Sequence, residues 1–118
     1  MSKQNESVRL ARAWIDGWNA GKPEEIPLAR EFTHSSPFGT VKGREKYLDW
    51  VKPMAAENVT TLKIVKTLGG DGNAAIWFEM ITPNGTVQCV DWVETSNGEI
   101  VSINSFYDAS NLPYGPEE

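Results

Sequence analysis

Residues 74–108 read AAIWFEMITPNGTVQCVDWVETSNGEIVSINSFYD, and the fold class is decided there. Three runs rich in β-branched and aromatic residues, Ala74–Thr82, Thr86–Thr95 and Glu99–Asp108, are separated by Pro83-Asn84-Gly85 and Ser96-Asn97-Gly98. Both separators have the composition of tight hairpin turns. One run earlier, Val59–Leu68 joins through Gly69-Gly70-Asp71-Gly72-Asn73. Four strand-length runs linked by three turn signals predict an antiparallel meander.

Upstream the period changes. Val8, Ala11, Ile15 and Trp18 recur every three or four residues, Leu10 and Trp14 widen the stripe, and Asn19-Ala20-Gly21 stops it. That spacing predicts an amphipathic helix. Pro23 followed by Glu24 and Glu25 opens a second, short helix, because proline suits the first helical position and acids suit the positive helix end. Phe32–Thr40 (FTHSSPFGT) reads as extended and turn-rich. From Gly43 a third helix places Tyr47, Leu48, Val51 and Met54 on one face, and Pro53 is expected to end or kink it near Lys52. Helices first and strands after, without βαβ alternation, predict an α+β fold: a curved sheet with helices packed on one face.

Side chains along a strand alternate between faces. Ala75, Trp77, Glu79 and Ile81 form one set, and Ala74, Ile76, Phe78 and Met80 the other; Val87, Cys89, Asp91 and Val93 alternate with Gln88, Val90, Trp92 and Glu94. Both sets are substantially apolar. The expectation is a sheet covered on both sides, by helices on one and by a second copy on the other, hence a homodimer through the outer sheet face.

Composition narrows the function. At 118 residues, with 40% hydrophobic and 23% charged residues, one globular domain is expected, its core spanning about 7–109 and a tail 110–118. The net charge of −5 and the absence of clustered Lys and Arg argue against nucleic acid and against an anionic membrane surface as partners. Cys89 is the sole cysteine and His34 the sole histidine, so neither a disulfide nor a metal site is expected. The first residues lack the apolar segment of a signal peptide, which makes the cytoplasm the expected location.

Two segments carry a resemblance: Ser36-Pro37-Phe38-Gly39 followed after three residues by Gly43-Arg44-Glu45, and the closing pattern Gly98-x-Ile100-x5-Phe106-Tyr107-Asp108. With the helix order they make the chain resemble the SnoaL-like branch of the nuclear transport factor 2-like superfamily over about residues 7–109. The resemblance implies a cone-shaped α+β barrel, its N-terminal helices on the concave face of a curved, mostly antiparallel sheet, around an apolar cavity. It implies no cofactor. The fold hosts isomerases, cyclases, dehydratases and binding or association domains, so it does not settle activity. The ketosteroid isomerase motif is not intact: its general-base aspartate falls on Ser36 and its helix-one tyrosine near Trp14, while its second acid falls at or close to Asp91. SnoaL-type polyketide cyclases use a single pocket acid from the sheet, a role Asp91 is placed to fill.

Asp91 is therefore the leading catalytic candidate. A carboxyl among Val90, Trp92 and other apolar neighbours loses solvation, and its pKa rises toward a useful acid/base value. His34 titrates nearest neutrality and is the second candidate, as base or orienter. Trp14, Ser36, Trp50, Trp77, Glu79, Cys89 and Tyr107 are expected to line the cavity, with Cys89 an inert thiol. Aromatic side chains in that number suit a small apolar or cyclic ligand. Three functions stay open: cofactor-free isomerisation, cyclisation or dehydration; ligand binding without turnover; and association with a partner protein.

Overall fold

The computed structural model of the chain describes residues 3–57, 61–83 and 85–108. The expected tail 110–118, and the first residues of the run expected from Val59, lie outside them. Helix α1 spans Lys3–Asn19 and buries Ser7, Leu10, Ala11, Trp14 and Ile15, the i, i+3, i+4 rhythm of one helical face. Val8 and Trp18 lie half-buried at its margins. The chain then leaves the helix through Gly21 at φ 71, a left-handed conformation that glycine adopts without strain. A single 3-10 turn, Pro23–Glu25, stands where the short second helix is expected.

Strand β1 (Leu28–Ser36) turns through Pro37-Phe38 into β2 (Gly39–Lys42). The Ser36 hydroxyl accepts the Phe38 N–H at 3.1 Å and fixes that turn. Helix α2 runs Arg44–Glu57 with Pro53 inside it, so of the two outcomes expected at Pro53, an end or a kink, the end does not occur. Asp49, whose carbonyl loses its partner to the proline, and Pro53 itself are both exposed, so water can satisfy the freed carbonyl. Tyr47, Leu48 and Val51 hold the preceding turns against the core.

The meander follows as β3 (Thr61–Gly70), β4 (Asn73–Thr82), β5 (Gly85–Ser96) and β6 (Glu99–Phe106). Asn97 and Gly98, at φ 53 and 79, make the tight β5–β6 turn. The six strands form one sheet in the order β2-β1-β6-β5-β4-β3. All neighbours are antiparallel except β1 and β6, which pair in parallel. Both helices pack on the concave side of a curved sheet, the expected α+β arrangement. The barrel is corrected: the sheet does not close, and β2 and β3 are its free edges among the described residues.

The concave face carries Phe32, His34, Ala74, Ile76, Phe78, Cys89, Asp91, Val93, Ile100, Ile103 and Ser105, all buried. The convex face shows Trp77, Ile81, Val90, Trp92, Val101 and Phe106 to solvent. Among the described residues no helix is long and apolar enough to cross a membrane.

Candidate functional site

Asp91 sits in the middle of β5, 1% exposed. Its Oδ2 accepts the indole N–H of Trp14, from α1, at 2.8 Å. Burial pushes the carboxyl up to about 7, against the favourable pull of the Ser105 hydroxyl and the Trp14 N–H. Both protonation states are therefore populated near neutrality, the condition a general acid/base needs. A β-bulge decides which residue stands opposite. The β5–β6 register shifts between Glu94 and Thr95, leaving Val101 unopposed and pairing Asp91 with Ser105. In the unshifted register Asp91 would face Asn104.

His34, on β1, is 8% exposed, and its Nε2 lies 3.0 Å from Ser105 Oγ. Burial lowers the imidazole to about 4, so it is neutral at physiological pH. Its ring lies 5.6 Å from Trp14 and 5.2 Å from Tyr47, between centroids. Tyr47, from α2, is fully buried, 5.1 Å edge-on from Phe32. Burial raises its phenol well above the ordinary tyrosine range; the nearby Trp18 indole, which does not reach hydrogen-bond geometry, pulls the other way, and the Asp91 charge pushes it higher.

Three side-chain atoms of this cluster are buried without a hydrogen-bond partner: His34 Nδ1, Tyr47 OH and Asp91 Oδ1. A buried polar atom left unsatisfied costs about 1–3 kcal/mol, so such atoms mark a place where a ligand or water belongs. A carboxyl that titrates near neutrality, a neutral imidazole and a phenol thus share one buried cluster.

Of the residues expected at the site, Asp91, Trp14 and His34 come together here. Cys89 lies on the same concave face, fully buried; burial and then Asp91 push its thiol up to about 12, which makes it inert. Trp50 is half-buried, its ring 6.3 Å from Tyr47. Ser36 and Tyr107 stand farther out, lining a solvent-open depression of about 450 Å³ with Ser35, Pro37, Asn104, Ser105 and Phe106. Trp77 and Glu79 are corrected. They lie on the convex face, where Trp77 donates to Gln88 at 2.7 Å and Gln88 donates to Glu79 at 3.1 Å. Strand alternation forces this, because Trp77 has the opposite parity to the buried Ile76 and Phe78. Ser105 and Tyr47 are the site residues that the sequence did not single out. Among the described residues, no three of His, Cys, Asp or Glu converge as a metal site requires.

The sequence profile of the SnoaL-like domain matches residues 11–103. The chain belongs to this family. Comparison with curated proteins finds no match. Among solved structures, this SnoaL-like chain is similar to a candidate ketosteroid isomerase from Kribbella flavida, at 19% identity and a TM-score of 0.77, covering 100% of this chain and 87% of that one. It is also similar to a candidate SnoaL-like polyketide cyclase from a Jannaschia species, at 11% identity and 0.75, covering 89% and 87%. A de novo designed protein with a curved β-sheet matches as well, at 18% identity and 0.77, covering 92% and 88%. A designed chain in that company shows that the likeness carries the fold, and that activity must be argued from the site.

Proposed function

We propose that this SnoaL-like domain binds a small cyclic or apolar molecule carrying a carbonyl or hydroxyl oxygen, and moves a proton on it without a cofactor. The observation that supports this reading is the set of unpartnered buried atoms on Asp91, His34 and Tyr47. Asp91 is the general acid/base. Trp14 occupies its Oδ2, so Oδ1 is the atom that takes or gives the proton. Tyr47 OH and His34 Nδ1 receive the ligand oxygen, and the surrounding rings bury its carbon skeleton. Developing charge on that oxygen is stabilised where water is excluded and each hydrogen bond counts for more. Isomerisation, cyclisation and dehydration all need this proton movement.

Deuterium uptake tests the chemistry before the substrate is known. A set of cyclic ketones is incubated with the protein in D2O, and exchange at the carbon next to the carbonyl is followed by NMR. Uptake should exceed the buffer rate, rise as Asp91 ionises, and vanish in Asp91→Asn with the circular dichroism spectrum retained. Equal uptake in the variant removes Asp91 from the chemistry, and no uptake with any ketone overturns the enzymatic reading.

A second reading concerns assembly: we propose a homodimer through the convex sheet face, and no docking of nucleic acid or membrane there. Trp77, Val90 and Phe106 are successive register partners across three strands, and they are 41%, 41% and 61% exposed. The Trp92 N–H is satisfied by Glu94 at 2.6 Å and the Trp77 N–H by Gln88, so both rings offer carbon to a partner. Lys63 and Lys66 on β3, Glu79 on β4 and Glu94 on β5 place charges of both signs around this row. Light scattering over a concentration series should give twice the chain mass, and Trp77→Glu with Phe106→Glu should halve it. A wild-type chain that stays monomeric throughout overturns this.

A further inference from the structure

The sheet has a gap at one end, and the open depression lies in it. Register between β1 and β6 runs no further than Ser35 with Asn104, because β1 ends at Ser36 and the chain turns away through Pro37. Strand β6 continues to Phe106, which pairs with Val90 of β5. Beyond Asn104 it therefore has a strand neighbour on one side only. Side chains that strand alternation sends to opposite faces meet in this gap. Ser35, Asn104 and Phe106 belong to the convex face, Ser36 and Ser105 to the concave one, and all of them line the one depression. Its volume of about 450 Å³ falls among small-molecule sites, which hold about 300–1,000 Å³.

The depression adjoins the buried cluster. Ser105 is part of its wall, and Ser105 Oγ is hydrogen-bonded to His34 Nε2 at 3.0 Å. His34 and Ser105 are each 8% exposed, against 1% for Asp91 and 0% for Tyr47. The cluster thus comes nearest to solvent at the residue that walls the depression.

The chemistry of the wall is neutral. Among the described residues no charged side chain lines it. Ser36 Oγ accepts the Phe38 N–H at 3.1 Å, and a hydroxyl that accepts still has a proton to give. The half-exposed Asn104 brings an amide with two donor hydrogens and an acceptor oxygen. Tyr107 adds an aromatic side, its ring 6.2 Å edge-on from Phe38. A carboxylate placed there would lose hydration and meet no cation in return.

We propose that the depression is an outer subsite for the ligand of the buried cluster, and that it takes a neutral hydrogen-bonding arm, a carboxamide or a hydroxyl. The inference rests on the reading that the ligand oxygen sits among Asp91, His34 and Tyr47, and it adds a substrate class: an elongated molecule with a polar, uncharged end. Asn104 is the specificity-determining residue, because its amide meets the arm.

The probes are cyclohexanone, its derivative with a propanamide arm opposite the carbonyl, and the matching propanoate. Each is titrated into the labelled full-length protein and followed by proton–nitrogen NMR. The propanamide should shift the Asn104 side-chain amide signals and bind about tenfold tighter than cyclohexanone, the gain of one or two hydrogen bonds. The propanoate should show no such gain. In Asn104→Leu the propanamide should fall to within about twofold of cyclohexanone, whereas Asn104→Gln, which keeps the amide, should retain most of the difference and controls for disturbance of the strand. A propanamide that binds no tighter than cyclohexanone, or that leaves the Asn104 amide unmoved, overturns the proposal. So does a propanoate that binds as tightly as the propanamide, or a gain that Asn104→Leu leaves intact. No turnover is read in these titrations, so failure of the Asp91 chemistry and failure of the subsite are separate results.

Discussion

Replacing Asp91 with Asn removes one titration from the interior and almost nothing from its shape, so the dependence of stability on pH isolates that carboxyl. In the folded chain, burial holds it at about 7; in the unfolded chain it titrates near about 3.9. Between those values the folded state keeps a proton the unfolded state has lost, and stability falls as pH rises. A gap of about three pH units, at about 1.36 kcal/mol each, is on the order of 4 kcal/mol. Solvent screening takes little from this figure, since the side chain is 1% exposed. His34 works in the opposite sense. Burial lowers its imidazole to about 4, against about 6.5 unfolded, so folding expels a proton and stability rises with pH across that window by roughly 3 kcal/mol. The two slopes oppose each other, and their combined contribution in the wild type is nearly level in the overlap. Urea denaturation at a series of pH values should show the advantage of Asp91→Asn over wild type growing by about 4 kcal/mol between pH ~4 and ~7.5. The variant itself should show the uncovered His34 rise. A difference that does not change with pH would mean that the carboxyl is not desolvated in the folded chain, and the reasoning behind the site would fail.

Three further outcomes follow from the geometry. Trp14→Phe deletes the donor to Asp91 Oδ2; loss of a charge-assisted hydrogen bond should lower stability in urea by roughly 2–3 kcal/mol above neutrality. The same change should move the Asp91 midpoint upward, read from the carboxyl carbon. Tyr47→Phe removes a buried hydroxyl that has no partner, so the unliganded protein should be no less stable in urea, while affinity for a bound ketone measured by tryptophan quenching should fall. Gly17→Ala places a methyl group on the Ile26 side chain where α1 meets the 3-10 turn. Overpacking of about 1–3 kcal/mol should outweigh a helix-propensity gain of about 1 kcal/mol and lower the melting temperature.

The meander was legible because its turns are chemically explicit: Asn97-Gly98 can hardly be anything but a tight hairpin turn. Helix α1 was legible from spacing alone. What escaped is non-local. Nothing in residues 28–36 says that they will pair in parallel with a strand more than sixty residues later, so the first hairpin read only as an extended, turn-rich segment. Pro53 does not end α2, because an exposed proline can be accommodated when the preceding turns are anchored. Asp91 announced itself as an acid in an apolar strand. Ser105 did not, because a one-residue bulge decides whether it or Asn104 faces that acid. Trp77 and Glu79 were misplaced because both faces of β4 are apolar in sequence, and only the helices' choice of side separates them.

The parallel joint between β1 and β6 also sets when the site can exist during synthesis. His34 and Ser105 are 71 residues apart along the chain, and β1 gains its inner neighbour only after the last strand has left the ribosome. Until then a two-stranded flap and a three-stranded sheet have no strand between them, and only the helices can hold them together. The same late event completes the sheet and delivers Ser105 to the imidazole of His34. A chain that stops before Glu99 therefore lacks both the joint between the two halves of the sheet and the partner of His34.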